Sequence, residues 1–271
     1  MHLKYELICM DLDGTLLDNN KKVSDRARKN LHKAAEMGIH IALMSGRMPH
    51  AIEIIEEQIG LSCIRGSSAG TYVVMDGKCL SDRIMPTEAM IYVYETLARK
   101  FNIPLWIYKG TEWYVTSSDW YVQRESAVID LEPTIADIRL LKEEWDRQET
   151  GPNKLMFGAK EELIDQIKAE LDAAGVDTVD YARSSTFYLE IFPKGASKGS
   201  AISAICDALG IDLQKTIAFG DQELDIPMLE SAAFGIAMAN SPEHVKKCSD
   251  AVTLSNEDDG VAIALEQYVL N

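Results

Sequence analysis

The chain has 271 residues, and 27 Lys+Arg against 43 Asp+Glu leave a net charge of −16. With 46% hydrophobic and 26% charged residues, the composition is that of a folding chain rather than a disordered or fibrous one, long enough for two domains or one large α/β unit. The acidic excess argues against nucleic acid and anionic membranes as partners, because no Lys/Arg run offsets it: Lys21-Lys22 and Lys246-Lys247 are only pairs and read as solvated surface.

No apolar run reaches the length of a membrane span, and the amino-terminal MHLKYELICMDLDG lacks a signal-like apolar core. The five cysteines, Cys9, Cys63, Cys79, Cys206 and Cys248, are scattered and never form a C-x-x-C pair. Neither a disulfide framework nor a zinc site is suggested, and a reducing cytoplasm is the expected location.

Tyr5 to Met10 is a short apolar run that reads as a buried strand and stops at the polar turn Asp11-Leu12-Asp13-Gly14-Thr15. A helix follows, with Ser24 as N-cap, apolar positions at Ala27, Leu31, Ala34 and Ala35, and Gly38 closing it. A second buried strand, Ile39 to Met44, ends in Ser45-Gly46-Arg47, and a helix from Ala51 to Ile59 is stopped by Gly60. Late in the chain the same grammar returns: helix Ser197 to Leu209, Gly210, strand Thr216 to Phe219, the turn Gly220-Asp221, and strand Gly235 to Met238.

Alternating apolar strands and helices predict a Rossmann-like α/β core, a parallel sheet with its strand C-termini on one ligand-binding edge. The Asp11–Thr15 and Ser45–Arg47 turns should therefore be neighbours. Between the two halves the texture changes to helix Thr87 to Lys100, an aromatic hairpin around Lys109-Gly110, helix Glu161 to Ala174 and strand Thr186 to Phe192. This predicts an inserted α+β domain over 85–188, with the core built from 1–84 plus 189–271. The aromatics Trp106, Tyr108, Trp113, Tyr114, Trp120 and Tyr121 alternate as strand faces do and read as packing of that insert.

Asp11 and Asp13 place two carboxylates in one turn, a repulsion that a cation or a shared proton relieves, and Mg2+ accepts such a donor set together with a substrate phosphate. Ser45 and Gly46 offer a hydroxyl and a backbone N–H at the next strand end. Lys198 opens a predicted helix and adds its charge to the positive helix end. Asp221 and Asp225 bring carboxylates to a third strand end. Alone, each of these fits an ordinary surface turn; Arg47 fits a substrate contact and an ion pair equally well.

In the order DxDGT, S-G, K, GDxxxD, these segments resemble the four signature motifs of the haloacid dehalogenase superfamily of aspartyl-nucleophile phosphatases and mutases. The flanking text, SGR at Ser45–Arg47, LEIFPKGASKG at Leu189–Gly199, GDxxxDIxML at Gly220–Leu229 and EDDGVA at Glu257–Ala262, resembles its Cof-type sugar and cofactor phosphatases, in which an α/β cap is inserted between the second and third motifs.

The resemblance implies Asp11 as nucleophile and metal ligand, Asp13 as general acid/base with its backbone carbonyl toward the metal, and Asp221 as the third metal anchor with Asp225 behind it. It also implies Leu12 N–H, Ser45, Gly46 and Lys198 as the phosphate cradle, Mg2+ as cofactor, and a small phosphorylated metabolite as substrate. The expected activity is a phosphomonoester hydrolase. A phosphomutase of the same superfamily and a catalytically impaired phosphometabolite-binding protein are the alternatives, the second because Leu224 and Ala69 stand where the branch carries Asn.

Overall fold

A computed structural model describes residues 3–271, and the chain divides into two units, 3–81 with 197–271, and 82–196. It runs through β1 (Leu7–Asp11), α1 (Asp25–Glu36), β2 (His40–Met44), α2 (Pro49–Ile59), β3 (Ile64–Ser67), β4 (Tyr72–Met75) and β5 (Lys78–Asp82) before entering the insert. There it forms α3 (Thr87–Val93), a π-helical turn (Tyr94–Ala98), α4 (Arg99–Phe101), β6 (Trp106–Lys109), β7 (Glu112–Val115), α5 (Trp120–Ile129), β8 (Thr134–Ile135) and α6 (Ile138–Arg147). The insert is completed by β9 (Lys154–Gly158), α7 (Glu161–Ala174), β10 (Val179–Ser185) and β11 (Tyr188–Pro193). Then come α8 (Lys198–Leu209), β12 (Thr216–Gly220), α9 (Ile226–Ser231), β13 (Phe234–Ala237), α10 (Glu243–Lys246), β14 (Ala251–Val252) and α11 (Gly260–Tyr268).

The first unit carries an eight-stranded sheet in the order β14-β13-β12-β1-β2-β3-β4-β5, parallel from β14 through β3. Its central strands β1, β2 and β12 are buried on both faces, as their continuous apolar runs require. Ile8, Met10, Ile41, Leu43, Ile217 and Phe219 pack with Leu31 of α1, Ile52 and Ile55 of α2, and Leu265 of α11. The alternate strand positions Leu7, Cys9, Ala42, Met44 and Ala218 pack with Ile202 and Ile205 of α8 and with Met228 and Leu229 of α9. Period-two alternation thus feeds two helical layers. The chain leaves β1 toward β2 on one side and returns to β12 on the other, so the C-terminal end of β1 is the switch point where α/β sheets bind ligands.

Ser24 caps α1, accepting the Ala27 N–H, and Gly60 and Gly210 close α2 and α8 in the left-handed region. The expected strand and helix positions of this unit therefore hold to within one or two residues.

The second unit is a six-stranded sheet, β10-β11-β9-β6-β7-β8, antiparallel except for the β7–β8 pair. One face is covered by α3, α6 and α7: Ile107, Leu155, Phe157, Leu189 and Ile191 pack against Met90, Val93, Trp145, Ile164 and Ile167. Two sequence expectations need correction. The insert does not end at 188, because β11 pairs with β9 and β10 and carries the unit to 196. Trp120 and Tyr121 are not strand residues; they open α5, where Asp119 caps the helix by accepting the Val122 N–H. Trp106, Tyr108 and Trp113 do lie on strands and are buried.

Candidate active site

Two strand ends, a 3-10 turn and one helix end build a carboxylate cluster in the first unit. Asp11 ends β1, Asp221 follows β12, Asp225 lies in the short 3-10 turn before α9, and Lys198 is the first residue of α8. All four are buried. Lys198 Nζ donates to Asp11 Oδ1 and to Asp225 Oδ1, each at 2.5 Å. Ser197 and Ser200 form a capping box that fixes the first turn of α8, and Gly199 lets α8 approach α9, since a Cβ there would meet Pro227 O at 2.2 Å. The Lys198 stem therefore has a defined root.

Asp225 Oδ2 accepts the backbone N–H groups of Asp221 and Gln222, both at 2.9 Å, which pins the turn after β12. Asp221 Oδ1 accepts Thr15 Oγ1 at 2.9 Å, and Oδ2 accepts Gln222 Nε2 at 2.9 Å. Gly14 has φ +86, and a Cβ there would lie 2.4 Å from Asp221 Oδ2, so only glycine permits this approach of the turn after β1 to the Asp221 carboxylate.

Electrostatically the cluster is unfinished: three carboxylates surround one ammonium. Burial pushes Asp11 up, with Lys198 opposing and Asp225 and Asp221 adding to the rise. Asp221 is raised for the same leading reason, burial, followed by Asp225. Burial works against the charge on Lys198, but its two carboxylate partners outweigh that and raise it. Asp11, Asp221 and Asp225 each offer an oxygen within 4.8 Å of the others. Hard, clustered, under-neutralised oxygen donors fit a divalent cation such as Mg2+.

Asp13 is turned elsewhere. Its carboxylate accepts Arg47 Nε at 2.9 Å and Nη2 at 2.7 Å, and Lys21 Nζ at 2.7 Å. Burial works to raise its pKa, but the hydrogen bonds and charges of Arg47 and Lys21 prevail and hold it below the usual range. Arg47 is thus an ion-pair partner. Lys21, read from the sequence as solvated surface, reaches Asp13 from a backbone at φ +61, and nothing local in the sequence signals that pairing.

The β1–β2 register sets Asp11 opposite Met44, so Ser45 lies beside Leu12 at the same sheet edge. Ser45 is buried; its N–H donates to Gly66 O, its Oγ accepts the Arg47 N–H at 3.2 Å, and its carbonyl accepts the Ala69 N–H at 2.9 Å. Ser68 and Ala69 take left-handed backbone, the conformation in which Asn is more easily accommodated than Ala. Leu224 is half-buried next to Asp225. Asp11, Lys198, Asp221 and Asp225 are therefore gathered side chain to side chain, while Asp13 is held apart on Arg47 and Lys21. Beyond the residues expected from sequence, Gln222 and Asn240 also touch Asp221.

Residues 8–265 match the family model of haloacid dehalogenase-like hydrolases. A Bacillus subtilis protein named phosphatase YwpJ is 28% identical over 95% of this chain and 97% of its own length. A second B. subtilis protein, 5-amino-6-(5-phospho-D-ribitylamino)uracil phosphatase YcsE, is 24% identical over 98% of this chain and 96% of its own. The crystal structure of a haloacid dehalogenase-like hydrolase from Bacteroides thetaiotaomicron superposes with a TM-score of 0.84 at 28% identity, covering 97% of this chain and 99% of that one. The chain belongs to the haloacid dehalogenase-like hydrolases.

Proposed function

We propose that the protein is a Mg2+-dependent phosphomonoester hydrolase acting on a small phosphorylated metabolite such as a sugar phosphate. The observation that carries this reading is the buried Asp11–Lys198–Asp225 bridge with Asp221 beside it: a carboxylate at a strand end, oriented by an ammonium, within a group one positive charge cannot neutralise.

On this reading Asp11 attacks phosphorus through a carboxylate oxygen, giving an aspartyl-phosphate and releasing the substrate alkoxide. Asp13 protonates that leaving group and then takes a proton from the water that hydrolyses the acyl phosphate. Lys198, Ser45 and the N–H groups of Leu12 and Gly46 bind the transferring phosphoryl oxygens. Asp11, Asp221 and the Asp13 carbonyl would hold Mg2+, with Asp225 supporting from behind; when bound, the ion neutralises phosphoryl charge. Because Asp13 is ionised while Arg47 and Lys21 grip it, its turn as acid requires that grip to loosen when substrate arrives. The inserted unit supplies substrate choice. Among the described residues no helix is long and apolar enough to cross a membrane.

The test is phosphate release from a panel of sugar phosphates, nucleotides and other phosphoesters with Mg2+, with EDTA, and with Mg2+ restored in excess. Release that EDTA abolishes and Mg2+ restores is expected. No release from any ester, or release indifferent to Asp11→Asn, overturns the reading.

A further inference from the structure

We propose that Asn240 is a positioning residue for the cation site: its carboxamide ties the turn after β1 to Asp221 and sets the direction of that carboxylate. The proposal rests on the hydrolase reading above. Asn240 follows β13, and nothing in its sequence surroundings assigns it to the site. Its Nδ2 donates to Gly14 O at 2.9 Å and reaches Asp221 Oδ2 at 3.5 Å, while its Oδ1 accepts the Asn256 N–H at 3.3 Å. One planar amide therefore joins three separate loops.

The second anchor of this device is Asn256, whose Nδ2 donates to Leu17 O at 2.9 Å. Beside it, the Asn19 N–H donates to Glu257 Oε1 at 2.6 Å. The turn that bears Asp11, Asp13 and Gly14 is thus strapped, from its exit, to the loop that precedes α11. Gly14 matters because its backbone packs directly on the Asp221 carboxylate, with no room for a Cβ. A shift of the Gly14 carbonyl moves the surface against which Asp221 rests.

Asp221 has other supports, Thr15 on Oδ1 and Gln222 on Oδ2, but both come from residues within the two turns being joined. Asn240 is the support that arrives from a third element. Its side chain is exposed and contributes no core packing, so its removal perturbs the alignment of the two turns without opening a cavity. Partners that orient metal-ligating carboxylates commonly set cation affinity by an order of magnitude.

The experiment titrates Mg2+ alone into wild-type protein and Asn240→Ala by calorimetry, without substrate, alongside thermal unfolding and kcat and KM measured across Mg2+ concentrations. Affinity for Mg2+ should fall about tenfold, the low end of the loss expected for a ligand's hydrogen-bond partner. The midpoint of thermal unfolding should barely move, and kcat should approach the wild-type value at saturating Mg2+. Unchanged Mg2+ affinity in folded Asn240→Ala overturns the proposal. If the alanine variant does not fold, Asn240→Ser takes its place, and failure of both to fold also overturns it, since Asn240 is then a structural staple. Wild-type protein that binds no Mg2+ and releases no phosphate refutes the hydrolase reading itself, a result distinct from equal binding by wild type and variant.

Discussion

Lys198 Nζ lies 2.5 Å from Asp11 Oδ1, and both side chains are buried. Asp11 is the carboxylate at the switch point of the sheet, and Lys198 is the first residue of a helix that packs on the opposite sequence half. The pair therefore depends on the closure of the fold across 187 residues of sequence separation. The same ammonium contacts Asp225, which in turn fixes the backbone at Asp221, so one lysine organises the acidic group.

Asp11→Asn tests the nucleophile directly. The amide keeps the shape and can still accept from Lys198 but cannot attack phosphorus, so phosphate release should fall on the order of 10³-fold or more. Stability should hold or rise, because burial disfavours the charged form of Asp11 and the amide carries no charge to desolvate. Parallel assays and thermal scans check this; activity within tenfold of wild type would remove Asp11 from the chemistry.

Arg47→Met tests the grip on Asp13. The Arg47 and Lys21 cations favour the ionised carboxylate against the opposing effect of burial, so deleting Arg47 raises the Asp13 pKa. Asp13 acts as acid only when protonated. In a kcat/KM profile from acid to alkaline pH, the limb on which this group loses its proton should move to higher pH in the variant. An unmoved limb, whatever happens to KM, would show that Asp13 is not the acid or that Arg47 does not set its proton affinity.

The parts of this site that were legible in the sequence are those that local patterning encodes. β1, β2 and β12 are continuous apolar runs that end in polar turns, and Ser24, Gly60 and Gly210 punctuate the helices, so the strand-end residues Asp11, Ser45 and Asp221 could be placed on one edge. Lys21 and Asn240 could not: Lys21 reaches Asp13 only through the irregular turn that Asp18 and Lys22 close, and Asn240 reaches Gly14 across 226 residues of chain. The insert was less legible for the same reason: β10 is half-polar, and the antiparallel pairing of β10 and β11, not their own periodicity, assigns both to the second sheet.

Glu266→Gln tests how α11 is fastened to α1. Glu266 accepts from Arg26 at 2.6 Å and from the buried Asn30 at 2.9 Å, and these bonds, Arg26 first, hold its carboxyl down at about 2, against the usual 4.5. A depressed carboxyl stabilises the fold above its unfolded value, and that contribution is lost as pH falls through the folded one. The wild-type advantage over Glu266→Gln should therefore be full at neutral pH, shrink below about 4.5 and vanish by about 2. Urea midpoints collected across that window decide; a gap between the two proteins that is independent of pH would refute the linkage.

Lys154 and Glu190 test the inserted sheet on its own. They sit on the neighbouring strands β9 and β11, 4% and 6% exposed at the side chain, with Nζ 3.1 Å from Oε2 and 4.6 Å above the Tyr108 ring. A charge pair at that depth has been desolvated on both sides, so its net contribution is small, but losing one member strands the other in a low-dielectric place. Lys154→Met keeps the stem volume and leaves the Glu190 carboxylate without this cation, which should cost about 3–5 kcal/mol in urea unfolding. Adding Glu190→Leu removes the stranded charge and should return most of that loss, because an apolar pair of similar volume replaces an ion pair at little net cost. The double-mutant cycle distinguishes this from simple loss of packing, which the second substitution would deepen rather than relieve. A loss below about 1 kcal/mol for Lys154→Met alone would instead mean that the pair behaves as a solvated surface bridge.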